Sequence, residues 1–152
     1  MNLKTIVRKE CCFLLQESRK TEVLIEMMER IHAEGLVEDL DTLKKEIFYR
    51  EQLMSTGIGM GIGIPHVRFR GVTDPIVAVG VRKEGIHDYD SIDQIPVGIV
   101  IMILVGEDQH KEHIRLLSQI MGRLKSTEMR ENILEAVSGE ALYDLLMGDS
   151  DD

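Results

Sequence analysis

The chain has 152 residues, 43% hydrophobic and 30% charged, with 18 Lys and Arg against 27 Asp and Glu for a net charge of −9. That length suits one domain and can bury a core without disulfides or a structural metal. The composition excludes wholesale disorder. The charge argues against nucleic-acid binding, which wants a basic stripe, and suits either plain solubility or a basic protein partner.

Charges at Lys4, Arg8, Lys9 and Glu10 leave no long apolar segment at the N-terminus, so no signal peptide is expected. The run CCFLL at residues 11–15 predicts a short buried strand. Cys11 and Cys12 are adjacent, a spacing that neither closes a good disulfide nor matches a zinc or redox motif. They are expected to be reduced strand residues in a cytoplasmic protein. Ser18 or Thr21 can cap a helix carrying Val23, Leu24, Met27, Met28 and Ile31, ended by Gly35. Asp41 can cap a second, on which Leu43, Ile47 and Met54 share a face.

Over residues 57–64 the pattern changes to glycine at every second position, strand-like rather than helical, with Pro65-His66 following. Residues 76–81 predict a strand opened by Pro75. Residues 97–105 predict a central strand covered on both faces. This run is far below the roughly 20 residues of a spanning helix, so no membrane insertion is expected. Residues 109–124 predict an amphipathic helix with Ile114, Leu117, Ile120, Met121 and Leu124 inward. Ser126 or Thr127 starts another helix with Met129, Ile133, Leu134 and Val137. Ser138 caps a last one, residues 141–147, stopped by Gly148. There is no repeat or linker, and the acidic tail at residues 148–152 is expected to fray. Helices interleaved with apolar strands predict an α/β sandwich.

The segment STGIGMGIGIPH at residues 55–66 is the most informative stretch. Glycines let the backbone approach a ligand, and successive N–H groups can form an anion-binding concavity. The spacing fits neither a Walker A loop, a dinucleotide fingerprint nor a nucleophile elbow. A closely packed glycine strand ending in a surface histidine satisfies the same pattern as a phosphate site. His113 falls at the N-terminal end of the apolar stripe of its helix, which suits either an anion site or a half-buried core histidine. His110 and His113, with His66, also leave open a metal-dependent hydrolase. His32 and His87 are expected to face solvent.

With Arg50-Glu51 before STGIGMGIGIPH, and His113-Ile114-Arg115-Leu116-Leu117 far downstream, the chain resembles a known family. This is the fructose/mannitol-type (type 2) enzyme IIA family of the bacterial phosphoenolpyruvate-dependent sugar phosphotransferase system, which includes nitrogen-regulatory IIA proteins. The resemblance spans about residues 10–146, the core of a single domain at residues 1–152. It implies a mixed β-sheet flanked by helices on both faces. It implies that His66 accepts a phosphoryl group from the phosphocarrier HPr and passes it to a IIB component, or that the phosphorylation state of His66 controls regulatory partners. His113 would be the second active-site histidine and Arg50 the arginine near the phosphoryl group. Thr56, Gly57 and Gly59 would lie in the phosphoryl-binding loop. No metal or other cofactor is implied. Gly63 stands where the family often has alanine, which reads as the loss of one methyl group.

Overall fold

A computed structural model describes residues 3–148, so of the expected frayed tail residues 149–152 lie outside the described residues. In chain order the elements are α1 (Leu3–Ile6), β1 (Val7–Leu14), α2 (Lys20–Ala33), α3 (Leu40–Leu53), β2 (Gly57–Gly59), β3 (Ile62–Gly63), β4 (His66–Arg68), β5 (Ile76–Ile86), β6 (Val97–Val105), α4 (His110–Arg123), α5 (Thr127–Leu134) and α6 (Gly139–Met147). The six strands form one mixed sheet in the order β1-β5-β6-β3-β2, with β4 also on β6.

Strand β6, VGIVIMILV, is buried at every position, as its unbroken apolar run predicts. One edge runs antiparallel to β5. The other carries β3, parallel at Ile99 and Val100, and then β4, parallel at Ile103, Leu104 and Val105. Alternation sends successive residues of one strand into different cores. Cys11, Phe13, Ala78, Val100, Met102 and Leu104 pack with Val23, Leu24, Met27, Met28 and Ile31 of α2 and Leu43 and Ile47 of α3. Cys12, Val79, Ile99, Ile101 and Ile103 pack with Leu116 and Ile120 of α4, Ile133 of α5 and Leu142 and Leu146 of α6. Helices thus flank both faces, as expected. Each large aliphatic side chain taken fully out of water contributes about 1.5–3 kcal/mol.

The helix ends differ in detail from the sequence expectations. Neither Ser18 nor Thr21 caps α2. Arg19 is its N-cap residue and makes no side-chain cap bond; instead Asp88, far along the chain, accepts the Lys20 N–H at 2.8 Å. Gly35 does end α2: its N–H reaches the His32 carbonyl and the Leu36 N–H reaches that of Ile31, a Schellman pair. The cap of α3 is Asp39 rather than Asp41, because Asp39 accepts both the N–H and the hydroxyl of Thr42. Met54 is exposed at the C-cap instead of sharing the Leu43–Ile47 face. Ser126 and Ser138 cap α5 and α6 as expected, while Val137 falls beyond α5 and is exposed. On α4 it is Leu116, not Ile114, that is buried. Cys11 and Cys12 are free and buried. Among the described residues, no helix is long and apolar enough to cross a membrane.

Candidate functional site

The glycine segment expected as one strand is a hairpin. Met60 and Gly61 both adopt positive φ, 59° and 75°, the demand of a type I′ turn, and the chain reverses there. Asp93 braces the turn by accepting the Met60 N–H at 2.8 Å. The returning strand β3 follows β6 until Ile64-Pro65. The Pro65 carbonyl accepts the Ile103 N–H, and pairing resumes at His66 as β4. His66 therefore follows a break between β3 and β4, at a register fixed by β6.

His66 is half-buried, and its Nδ1 lies 2.8 Å from the Ile64 carbonyl. A carbonyl only accepts, so Nδ1 carries a proton and donates it, and in the neutral ring the lone pair is on Nε2. The first turns of α4 bring His113 alongside, with ring centroids 4.7 Å apart and planes tilted by 45°. His113 Nε2 is buried and has no hydrogen-bond partner among the described residues. Burial first, then the charges of His66, His110, Arg68 and Arg50, holds the His113 pKa below its ordinary value. This histidine is thus biased towards the neutral form.

A cleft of about 430 Å³ opens over His66. Arg50, Ser55, Thr56 and His66 supply its polar wall; Leu53, Met54, Ile58, Leu117 and Met121 supply the apolar one. Arg50 is exposed and makes no ion pair or side-chain hydrogen bond among the described residues, so its guanidinium fork is unspent. Gly57 and Gly59 build strand β2 beneath the loop, and the Gly57 N–H points to Ser55 Oγ at 3.5 Å.

Thr56 is more deeply engaged than its place in a loop suggests. Its hydroxyl donates to Glu51 Oε2 at 2.7 Å, and its N–H reaches Glu51 Oε1 at 3.3 Å. The Tyr89 hydroxyl lies 2.6 Å from Thr56 Oγ1 and must be the donor there, since the threonine proton is already committed. Lys20 Nζ pairs with Glu51 Oε1 at 2.9 Å and sits 4.4 Å from the Tyr89 ring centroid. Burial, with the Glu51 charge beside it, pushes the Tyr89 pKa up, so the phenol stays protonated.

The structure thus brings Arg50, Thr56, His66 and His113 together. His110 is exposed at the start of α4, and the described residues contain no group of three or more His, Cys, Asp or Glu able to hold a metal ion. The histidine trio of the metal reading is not such a group. His32 and His87 are exposed, their rings against the carbonyls of Val37 and Glu84. Sequence reasoning missed Lys20, Tyr89 and Arg68, and gave Glu51 no role. Arg68 had a signal, two residues beyond His66 in a strand; Lys20 and Tyr89 had none.

The fold is the mixed sheet flanked by helices that the family resemblance implied. The chain belongs to that family: the model of the phosphoenolpyruvate-dependent sugar phosphotransferase system EIIA 2 family matches residues 5–148. It is 36% identical over 147 residues to the fructose-specific EIIABC component of Bacillus subtilis, covering 96% of this chain but only 23% of that protein's length. It is 36% identical to the nitrogen regulatory protein of Pseudomonas aeruginosa, over 82% of this chain and 80% of that one. It is 34% identical to the fructose-specific EIIA component of Haloferax volcanii, over 95% and 94%. Among solved structures, nitrogen regulatory protein IIA-Ntr of Neisseria meningitidis superposes with a TM-score of 0.82 at 27% identity, covering 95% of this chain and 98% of that one. IIA mannitol of Escherichia coli shares the fold, with a TM-score of 0.71 at 22% identity over 88% and 94%.

Proposed function

We propose that residues 1–152 act as one domain, a cytoplasmic phosphocarrier that takes a phosphoryl group from phospho-HPr on His66 and passes it to a IIB component for sugar uptake. The observation that carries this reading is the bond from His66 Nδ1 to the Ile64 carbonyl. It leaves Nε2 as the nucleophile. Its lone pair attacks the phosphorus of the donor's phosphohistidine; the donor N–P bond breaks and that electron pair returns to the donor ring. Arg50 neutralises the phosphoryl oxygens with its planar fork. His113 donates Nε2–H to one of those oxygens. Thr56, Gly57 and Gly59 shape the phosphoryl-binding loop. The apolar wall of the cleft excludes water, which would hydrolyse the phosphoramidate.

The test is intact mass after incubation with phosphoenolpyruvate, enzyme I and HPr, wild type beside His66→Ala. One acid-labile phosphoryl group is expected on the wild type and none on the variant. Full labelling of His66→Ala would overturn the assignment.

The likeness to nitrogen regulatory proteins supports a second reading, in which the phosphate on His66 switches affinity for regulatory partners. A phosphate adds roughly −1.5 to −2 charges, enough to alter an interface. Capture experiments with phosphorylated and unphosphorylated protein separate the two: different partner sets are expected of a switch, and equal sets count against it.

A further inference from the structure

Beneath the cleft lies a pair of opposite charges to which the proposed chemistry gives no role. The Glu51 side chain is 6% exposed and that of Lys20 18% exposed, and they meet at 2.9 Å. They come from α3 and α2, and each is held twice more. Glu51 accepts from the hydroxyl and the N–H of Thr56. Lys20 reaches Ser55 Oγ at 3.4 Å and lies over the Tyr89 ring, while its own backbone N–H is fixed by Asp88. Thr56 and Ser55 are themselves walls of the cleft. A carboxylate therefore stands one side chain behind the place where a phosphoryl group would sit. Unpaired, it would repel that group, because a buried charge is weakly screened.

We infer that Lys20 is a positioning residue for phosphoryl transfer: it neutralises Glu51, so that this carboxylate orders Thr56 without setting a bare negative charge behind the phosphoryl site. The inference rests on the reading of His66 as a phosphocarrier. Glu51 fixes the Thr56 hydroxyl in one orientation, proton inward, with the Tyr89 hydroxyl on a lone pair. Lys20 cancels the charge that this ordering requires. Only the Glu51 end is local: Ser55 and Thr56 come just after the helix that carries Glu51, whereas Lys20 comes from α2.

The experiment compares wild type, Lys20→Met, Lys20→Arg and the double variant Lys20→Met/Glu51→Gln, each with its thermal midpoint recorded. Methionine keeps the stem and removes the charge; glutamine keeps an acceptor for Thr56 and removes the carboxylate. Phosphorylation of His66 by phospho-HPr is expected to slow about tenfold or more in Lys20→Met, mainly in kcat, in the range of losing one electrostatic stabiliser. Lys20→Arg is expected to retain most of the rate. The double variant is expected to recover most of what Lys20→Met loses, although a second contact has been removed. A role in packing alone predicts the opposite, a double variant no faster than the single one.

A second readout needs no phosphotransfer. A bare carboxylate behind the cleft that Thr56 and His66 line would raise the pKa of an imidazole within its reach. Proton NMR titration of His113, which faces His66, His110, Arg68 and Arg50, is expected to move up in Lys20→Met and back in the double variant. Wild type that is never phosphorylated would sink the phosphocarrier reading, and the NMR series would still decide the role of Lys20. An unchanged rate and an unchanged His113 titration in a folded Lys20→Met would overturn the inference alone.

Discussion

The space that a Cβ on Gly63 would need is filled by the ring of Tyr89. Such an atom would lie 2.7 Å from Tyr89 Cζ and 2.9 Å from its hydroxyl oxygen. The glycine is therefore more than a lost methyl group, since it admits the phenol that bonds Thr56. Tyr89 cannot easily retreat, because Thr56 and Lys20 hold it from the other side.

Gly63→Ala is expected to cost about 1–3 kcal/mol, the usual range for overpacking a filled site. Urea unfolding measures it. In the presence of Tyr89→Leu the same change is expected to cost clearly less, because the two side chains compete for one volume. Strict additivity of the two changes would refute that competition.

His113→Ala is expected to slow phosphorylation of His66 by roughly two to three powers of ten, on the order of what a single hydrogen-bond donor to a developing charge contributes. The nucleophile remains, so labelling goes to completion given time. A rate equal to wild type would remove His113 from the transfer step. Single-turnover kinetics with phospho-HPr resolve the outcome.

Stability should depend on pH through the same residue. Unfolded, the His113 imidazole gains its proton as the pH falls through about 6.5; folded, burial and the neighbouring positive charges delay that to lower pH. Between those two values the unfolded chain binds more protons. This contribution is thus fully present above about pH 6.5, is lost as the pH falls below it, and levels off under the folded pKa. Urea midpoints measured at intervals from pH 8 to 5 are expected to decline in that window, with a shallower decline in His113→Gln.

Cys11 and Cys12 are expected to resist thiol reagents until the protein unfolds. Burial is the main reason that their pKa values are pushed up to about 11 and about 12, so almost no thiolate exists near neutral pH. They also face different cores, on the two sides of the sheet, and cannot reach each other. Labelling with an aromatic disulfide reagent should report no thiol in the native protein and two in denaturant. Rapid native labelling would show that β1 opens.

Much of this was legible in the chain itself. The apolar run of β6 matched its strand end to end, and the five apolar positions of α2 are all buried. Ser126 and Ser138 could be read as caps because a cap bond is local. Other features depended on partners far away in sequence. The α2 N-terminus is satisfied by Asp88, 68 residues on, and no local pattern announces that. The hairpin at Met60-Gly61 was hidden by glycines alternating straight through the turn. Strand β4 has only three residues and takes its geometry from β6 rather than from its own propensity. The histidine pair was expected from the motif order, whereas Lys20 and Tyr89, lacking any motif, became visible only when the chain was folded.

Strand β6 holds no reactive group, yet both β3 and β4 take their alignment from it. A pleated strand presents alternate residues to opposite sides, so a slip of one position against β6 would turn His66 away from His113. Two cores resist that slip, because each would have to accept the other's side chains. The sheet thus acts as a two-sided ratchet, and the aim of the imidazole is set by hydrocarbon that never meets a phosphate.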